Sequence, residues 1–219
     1  MILSAIFDDD TMNIRGPAGR MQHIRDDAWK AWTPQLLYDH LRHQSSPWYV
    51  AGGWALDLWH GYQTRDHEDL EFCVLSEDVD LYRTVLSELE FFQVLNGATA
   101  HLAPETKPLP DVSQIWGADL DNRCWRVDMM IEQGTPDDWV YKRDPSFRLP
   151  RSGAVQKTPG GIPYLAPTLV LFFKAKHLRD KDMQDFSTAL PKLDAQERSN
   201  LGSWLKAMYP GHQWISSLQ

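Results

Sequence analysis

Cysteine is scarce in this chain of 219 residues. Cys73 and Cys124 are the only two, and both lie inside apolar, strand-like runs. They read as reduced, buried thiols, and no disulfide is expected. His40 and His43 lie three apart, but no Cys pair or second His pair accompanies them, so a zinc site is not indicated. No apolar run approaches the roughly 20 residues needed to span a bilayer. The opening stretch MILSAIFDDDTMNIRG lacks the basic leader, long apolar core and small-residue cleavage site of a signal peptide, so a cytoplasmic protein is expected. A basic excess is missing too. The formal net charge is −8, which argues against a polymerase that must track along nucleic-acid phosphates. An acidic cleft would concentrate a small cationic substrate, although acidity also serves solubility alone. Internal repeats and low-complexity segments are absent.

What is present suits a globular domain. A hydrophobic fraction of 42% and a charged fraction of 24% allow a sizeable core. The length fits one domain, or a domain with a helical appendage. Residues 1–32 read as a loosely ordered lead-in. Thr33 followed by Pro34 predicts a capped helix with Leu36, Leu37 and Leu41 on its face. Trp48 to Ala51 reads as a short buried strand. Trp54 to Trp59 reads as a helix stopped by Gly61, and Asp69 to Leu75 as a second strand. Asp78 to Leu89 has helical spacing with a Leu81, Val85, Leu89 stripe. Phe91 to Leu95 returns to strand. Val112 to Trp116 and Cys124 to Ile131 can pair antiparallel, placing a long strand beside the Asp69 strand. Gly134 to Gly161 is turn-rich, with a short β possibility at Phe147 to Leu149. Helices are expected at Thr168 to His177, Lys181 to Leu190 and Asp194 to Met208. The order is a mixed α/β half, residues 33–160, followed by a helical part, residues 161–219.

The most informative stretch runs from Trp48 to Val74, WYVAGGWALDLWHGYQTRDHEDLEFCV. An apolar run ends in Gly52 and Gly53, a short amphipathic segment follows, and a polar loop leads to Asp69 and Glu71. Residues i and i+2 of a strand share a face. Two carboxylates there repel one another unless a cation sits between them. A divalent-metal site handling a nucleoside triphosphate fits this pattern, with Asp69 and Glu71 as hard oxygen ligands for Mg²⁺. Gly52 and Gly53 would let the backbone of a helix N-terminus approach a phosphate.

This stretch resembles the nucleotidyltransferases of the DNA polymerase β superfamily. It is most similar to the aminoglycoside 2″-adenylyltransferase and lincosamide nucleotidyltransferase branch. The resemblance rests on Gly52, Gly53, Trp54, Asp57, Thr64, Arg65, His67, Asp69 and Glu71. It implies a small mixed β-sheet with helices packed on it, followed by a helical C-terminal part, an α/β (α+β) fold. It also implies a third carboxylate on a later strand, and Asp128 within CWRVDMMI matches. Asp128 would complete the metal set, act as base, or both; a surface pair with Arg126 is the plain alternative, and Glu132 is the fallback base. Arg65 and His67 would serve the nucleotide, or else lie in a solvated loop. The segment Tyr164 to Phe186 resembles the family's C-terminal helix, which points to Lys174 as a triphosphate ligand. A lysine with a buried stem and a wet head reads equally well. Where many relatives carry Glu after the proline, this chain has Thr168. Asp57 reads as structural, and Asp182 and Asp185 as packing and capping groups. Most of the ten tryptophans read as core, Trp116 and Trp125 near the site included.

The resemblance implies an Mg²⁺-dependent enzyme that moves a nucleoside monophosphate, AMP from ATP, onto a hydroxyl of a small molecule. An aminoglycoside- or lincosamide-like antibiotic is the expected acceptor class, and a homodimer is possible. A protein or RNA acceptor, or a nucleotide-binding module without catalysis, are the alternatives.

Overall fold

The structure is a computed structural model that describes residues 12–15 and 21–219. Met12–Arg15 (β1) and Met21–Ile24 (β2) form an antiparallel pair. Helix α1, Pro34–Leu41, starts where expected. Thr33 is its N-cap and accepts from the Leu36 amide at 3.2 Å, with Pro34 in the first turn. Leu37 and Leu41 are buried, but Leu36 is 41% exposed, so the inner face is narrower than the leucine pattern predicts. Strand β3 is Trp48–Val50. Helix α2 is Gly52–His60, two residues earlier than expected, and Gly61 at φ 83 closes it. Strand β4 is Glu71–Leu75. Asp69 therefore lies just before the strand. Helix α3, Val79–Val85, buries Val79 and Tyr82, followed by Leu86. Of the Leu81, Val85, Leu89 stripe, Val85 packs against the core and Leu89 is buried, but Leu81 points outward.

Strands β5 (Glu90–Leu95), β6 (Ala98–His101), β7 (Gln114–Asp119) and β8 (Cys124–Glu132) follow. Next come β9 (Asp138–Val140), β10 (Arg148–Pro150), a single helical turn α4 (Arg151–Ala154), β11 (Val155–Lys157) and β12 (Pro163–Leu165). Helices α5 (Pro167–Lys174), α6 (Asp180–Ala189) and α7 (Ala195–Met208) complete the chain, with a capping box between Asp194 and Glu197 at the start of α7. The main sheet has the order β11-β12-β3-β4-β8-β7-β5-β6. Its β12–β3 and β4–β8 pairs are parallel and the rest antiparallel. The α/β architecture is as expected, with helices following the sheet. Three-residue strands such as β12 are too short to carry a readable period.

Register assigns the faces. Tyr49 pairs Cys73, Cys73 pairs Met130, Glu71 pairs Asp128, and Gln114 and Trp116 pair Met130 and Asp128. These side chains share one face of the sheet. Phe72, Val74, Ile115 and Met129 take the other and join Leu37, Leu41, Tyr82 and Leu86 in the main core. Each fully buried aliphatic or aromatic side chain there stabilises the fold by about 1.5–3 kcal/mol. The first residues of β8 extend beyond the start of β4. The segment Ala28–Trp32 takes that place, with Lys30 N donating to Trp125 O, Trp125 N to Ala28 O, and Trp32 N to Arg126 O. This described part of the lead-in is thus built into the sheet. It anchors a second, smaller cluster of Ile24, Phe92, Ala118 and Trp125.

Arg126 does not pair with Asp128. It binds Asp119 at 2.8 and 3.2 Å. Partial burial pushes the Asp119 carboxyl up, but hydrogen bonds from Arg126 and Asn122 prevail and hold it at about 2. A carboxylate depressed in the folded state stabilises fully above its unfolded pKa of about 3.9 and loses that contribution as pH falls toward about 2. Chemical denaturation at pH 5 and pH 2.5 should therefore show a smaller acid-induced loss in Asp119→Asn than in wild type. An equal loss in both would remove the pair from acid stability.

Candidate active site

The Gly-Gly-Trp run and the polar loop after α2 fold back on each other. Asp57, buried in α2, accepts from Thr64 N at 3.0 Å and Thr64 Oγ1 at 2.5 Å. It also accepts from His67 Nε2 at 2.5 Å. Burial, aided by the Arg65 cation, lowers the His67 pKa against the pull of Asp57. The ring is then neutral near pH 7, with Nε2–H on Asp57 and Nδ1 accepting from Arg65 at 3.1 Å. Trp54 lies against the His67 ring and donates its indole N–H to Asp69 O at 3.1 Å. A Cβ at Gly52, which has φ +60, would run into the Glu71 carboxylate. A Cβ at Gly53 would collide with Arg65 and His67. Both glycines are therefore required by the side chains packed on them, whatever else their amides bind.

This scaffold presents three acids. Asp128 N donates to Leu70 O at 2.8 Å, and Glu71 faces Asp128 across the parallel β4–β8 pair. Carboxylate oxygens of Asp69, Glu71 and Asp128 all lie within 4.8 Å of one another. Among the described residues this is the one cluster suited to a metal ion. Burial, reinforced by Glu71, raises the Asp128 carboxyl well above the usual range, although Gln114 donates to its Oδ2 at 2.6 Å. Glu71 is raised by burial and by Asp69. Asp128 Oδ1 is buried with no hydrogen-bond partner among the described residues. Three crowded carboxylates, one with an orphaned oxygen, form an all-oxygen donor set that a hard divalent cation satisfies.

Asp69 and Glu71 line a cavity of about 750 Å³ that spans the loop before β4, the end of β9 and the α5–α6 junction. Cations line it from several elements: Arg65 in the loop, Lys142 and Arg143 after β9, and Lys174, Arg179 and Lys181 at the α5–α6 junction. Residues 35–99 match the family model of the aminoglycoside-2″-adenylyltransferases. The fold is similar to that of ANT(2″)-Ia in its crystal structure with adenylyl-2″-tobramycin. There the TM-score is 0.53 at 12% identity, over 81% of this chain and 95% of that one. A solution structure of ANT(2″)-Ia gives a TM-score of 0.51 at 13% identity, over 80% and 92% of the two chains. The chain thus shares the fold of ANT(2″)-Ia. No curated protein sequence matches it.

The loop before β4 and the C-terminal helices are tied by charge. Arg65 forks onto Asp185 at 2.8 and 3.0 Å. Lys174, itself buried, binds Asp185 at 2.9 Å and Asp182 at 3.3 Å. Asp182 also accepts from Arg179 at 2.9 Å and from the Arg179 amide, capping α6. The guanidinium of Arg65 is thus engaged by Asp185 and its neighbours, while Lys174 still borders the cavity. Glu132, the fallback base, is held by both ends of the Arg151 fork and by Tyr49 OH at 2.8 Å. Sequence reading passed over Gln114, Arg179 and Lys181. For Gln114 a signal existed: a polar residue alternating with buried Ile115 on a strand adjoining that of Asp128. Arg179 and Lys181 reach the cavity only through the packing of α6, which no local pattern reveals.

Proposed function

We propose that this protein is a nucleotidyltransferase that moves AMP from ATP onto a hydroxyl of a small amino-sugar acceptor of the aminoglycoside kind, with Mg²⁺ as its cation. The observation that carries the reading is an all-carboxylate cluster at the edge of a cavity that is also lined by cations. The family model over residues 35–99 and the tobramycin adduct bound to ANT(2″)-Ia support the acceptor class. Asp69, Glu71 and Asp128 would hold the metal, which when bound neutralises triphosphate oxygens and makes the α-phosphorus electrophilic. The first-turn amides of α2, at Gly52 and Gly53, have no intrahelical acceptors and bind anionic oxygen. Lys174, Arg179 and Lys181 balance the charge that departs with pyrophosphate. Arg65 and His67 act through the loop, keeping Asp69 and Glu71 in place. Asp128 takes the proton of the acceptor hydroxyl.

The test is pyrophosphate release from each NTP in the presence of aminoglycosides, lincosamides and hydroxylated metabolites, with product masses recorded. Release that depends on acceptor, favours ATP and stops with EDTA is expected. Calorimetric binding of Mg·ATP with no release for any acceptor would leave a binding module instead. Label from ATP appearing on a macromolecule in cell extract would move the acceptor class.

A further inference from the structure

The register of the sheet fixes the side from which a ligand reaches Asp128. On its face of the sheet, Asp128 is paired directly with Glu71 on β4 and Trp116 on β7. Two residues along β8 comes Met130, which pairs with Gln114 on β7. Glu71, Met130 and Gln114 line the cavity, and Trp116 does not. A group coming from the cavity therefore meets Asp128 over Met130, with Glu71 on one flank and Gln114 on the other. Glu71 belongs to the acid cluster. Gln114 is left as the flank open to an acceptor.

The two ends of the Gln114 amide have different surroundings. Nε2 donates to Asp128 Oδ2 at 2.6 Å. An ionised carboxylate only accepts, so it takes the N–H end and sets which way the amide faces. The carbonyl oxygen, Oε1, is left with no hydrogen-bond partner among the described residues. Amide bond lengths keep Oε1 roughly 2.3 Å from Nε2, which makes Oε1 and Asp128 Oδ2 two acceptors no more than about 5 Å apart. The preceding residue is pinned twice. Ile131 N donates to Ser113 O at 3.0 Å, and Lys142 Nζ donates to Ser113 Oγ at 2.7 Å. Lys142 also lines the cavity, and Arg143 beside it does too. These cations make a neutral donor a better match for Oε1 than an ammonium.

Resting on the nucleotidyl-transfer reading above, we infer that Gln114 is a specificity-determining contact, and that the acceptor presents a 1,2-diol. One hydroxyl is the attacked group and lies at Asp128. Its neighbour on the next carbon donates to Gln114 Oε1. Adjacent ring substituents reach both acceptors at once, whereas a lone hydroxyl reaches only one. The same amide thus holds the carboxylate and reads the substrate. An acceptor without the second hydroxyl leaves Oε1 unpaired once water is excluded, and that loss is what discriminates.

The test is calorimetric binding to the full chain with Mg²⁺ and the α,β-methylene analogue of ATP, which cannot transfer its AMP. The probes are methyl glycosides and tobramycin, each beside derivatives that lack one hydroxyl or one amino group. Wild type should bind a diol about fivefold or more tighter than the counterpart lacking one of the two hydroxyls. Gln114→Met, which keeps the length and loses the carbonyl, should bind the two within about twofold of each other. Gln114→Leu serves the same purpose should the first variant not fold. The ratio between paired probes cancels any general weakening of the site. Equal binding of both probes by wild type, discrimination that survives in the variants, an effect seen only on removing an amino group, or no binding of any member overturns the inference. This readout needs no turnover. Diol discrimination without transfer would sink the reaction and leave the contact standing. Transfer without discrimination would do the reverse.

Discussion

Asp128→Asn should lower transfer by at least about 10³-fold while the melting temperature holds or rises. Loss of a positioned proton acceptor alone removes about 10²–10⁴ in rate, and the metal set loses a charged oxygen as well. Stability should move the other way. Asp128 is 2% exposed, one of its oxygens has no donor among the described residues, and it faces Glu71 across the strand pair. A neutral isostere relieves that repulsion and keeps the Gln114 contact. A second signature separates a metal role from a packing role. A cation that binds only the folded state raises the melting temperature, so added Mg²⁺ should stabilise wild type and have little effect on Asp128→Asn. Turnover near wild type, or a fall of many degrees in melting temperature, would remove Asp128 from the chemistry. Asp69→Asn should lose activity similarly with the fold intact.

Asp185→Ala should cost about 3–5 kcal/mol of folding stability, because it leaves buried cations uncompensated. Its carboxylate is 3% exposed and serves both the Arg65 fork, 15% exposed, and Lys174. Burial pushes the Asp185 carboxyl up, but these two partners prevail and hold it below the usual range. Lys174 retains Asp182, so the heavier loss falls on Arg65. An apolar replacement of the whole pair, Arg65→Met with Asp185→Leu, should recover more than half of the deficit. Urea denaturation of the two singles and the double measures the coupling. Strict additivity would mean that the bridge holds nothing together.

Much of this was legible in the sequence, for reasons that differ by element. Thr33–Pro34, Gly61 and the Asp194 box announce helix ends because capping is local chemistry. Asp69 and Glu71 were legible from their i, i+2 spacing after a Gly-Gly turn, and Asp128 as an acid inside the apolar run CWRVDMMI. Residues 28–32 and β12 were not, since each is short and owes its place to partners far along the chain. Leu36 and Leu81 misled because leucine is common on exposed helix faces, and only packing separates inner from outer. Arg65 carries the same lesson at the site. Its type suits a phosphate, and only the approach of α6 reveals that Asp185 occupies its fork.

The handover along β8 has a consequence for how this chain can vary. One flank of that strand is served first by Ala28–Trp32 and then by the stretch that starts at Leu70, and Asp128 stands where one gives way to the other. A continuous neighbour would lock the acid inside an unbroken ladder. Two separate chain ends meeting there instead form a splice, and splices are set by length. A one-residue insertion before Trp29 or before Leu70 would shift the local pairing by a step and swap which side chains face the acid, with Asp69, Glu71 and Asp128 all still present. Loop length on both sides of the splice is thus under the same constraint as the acids themselves.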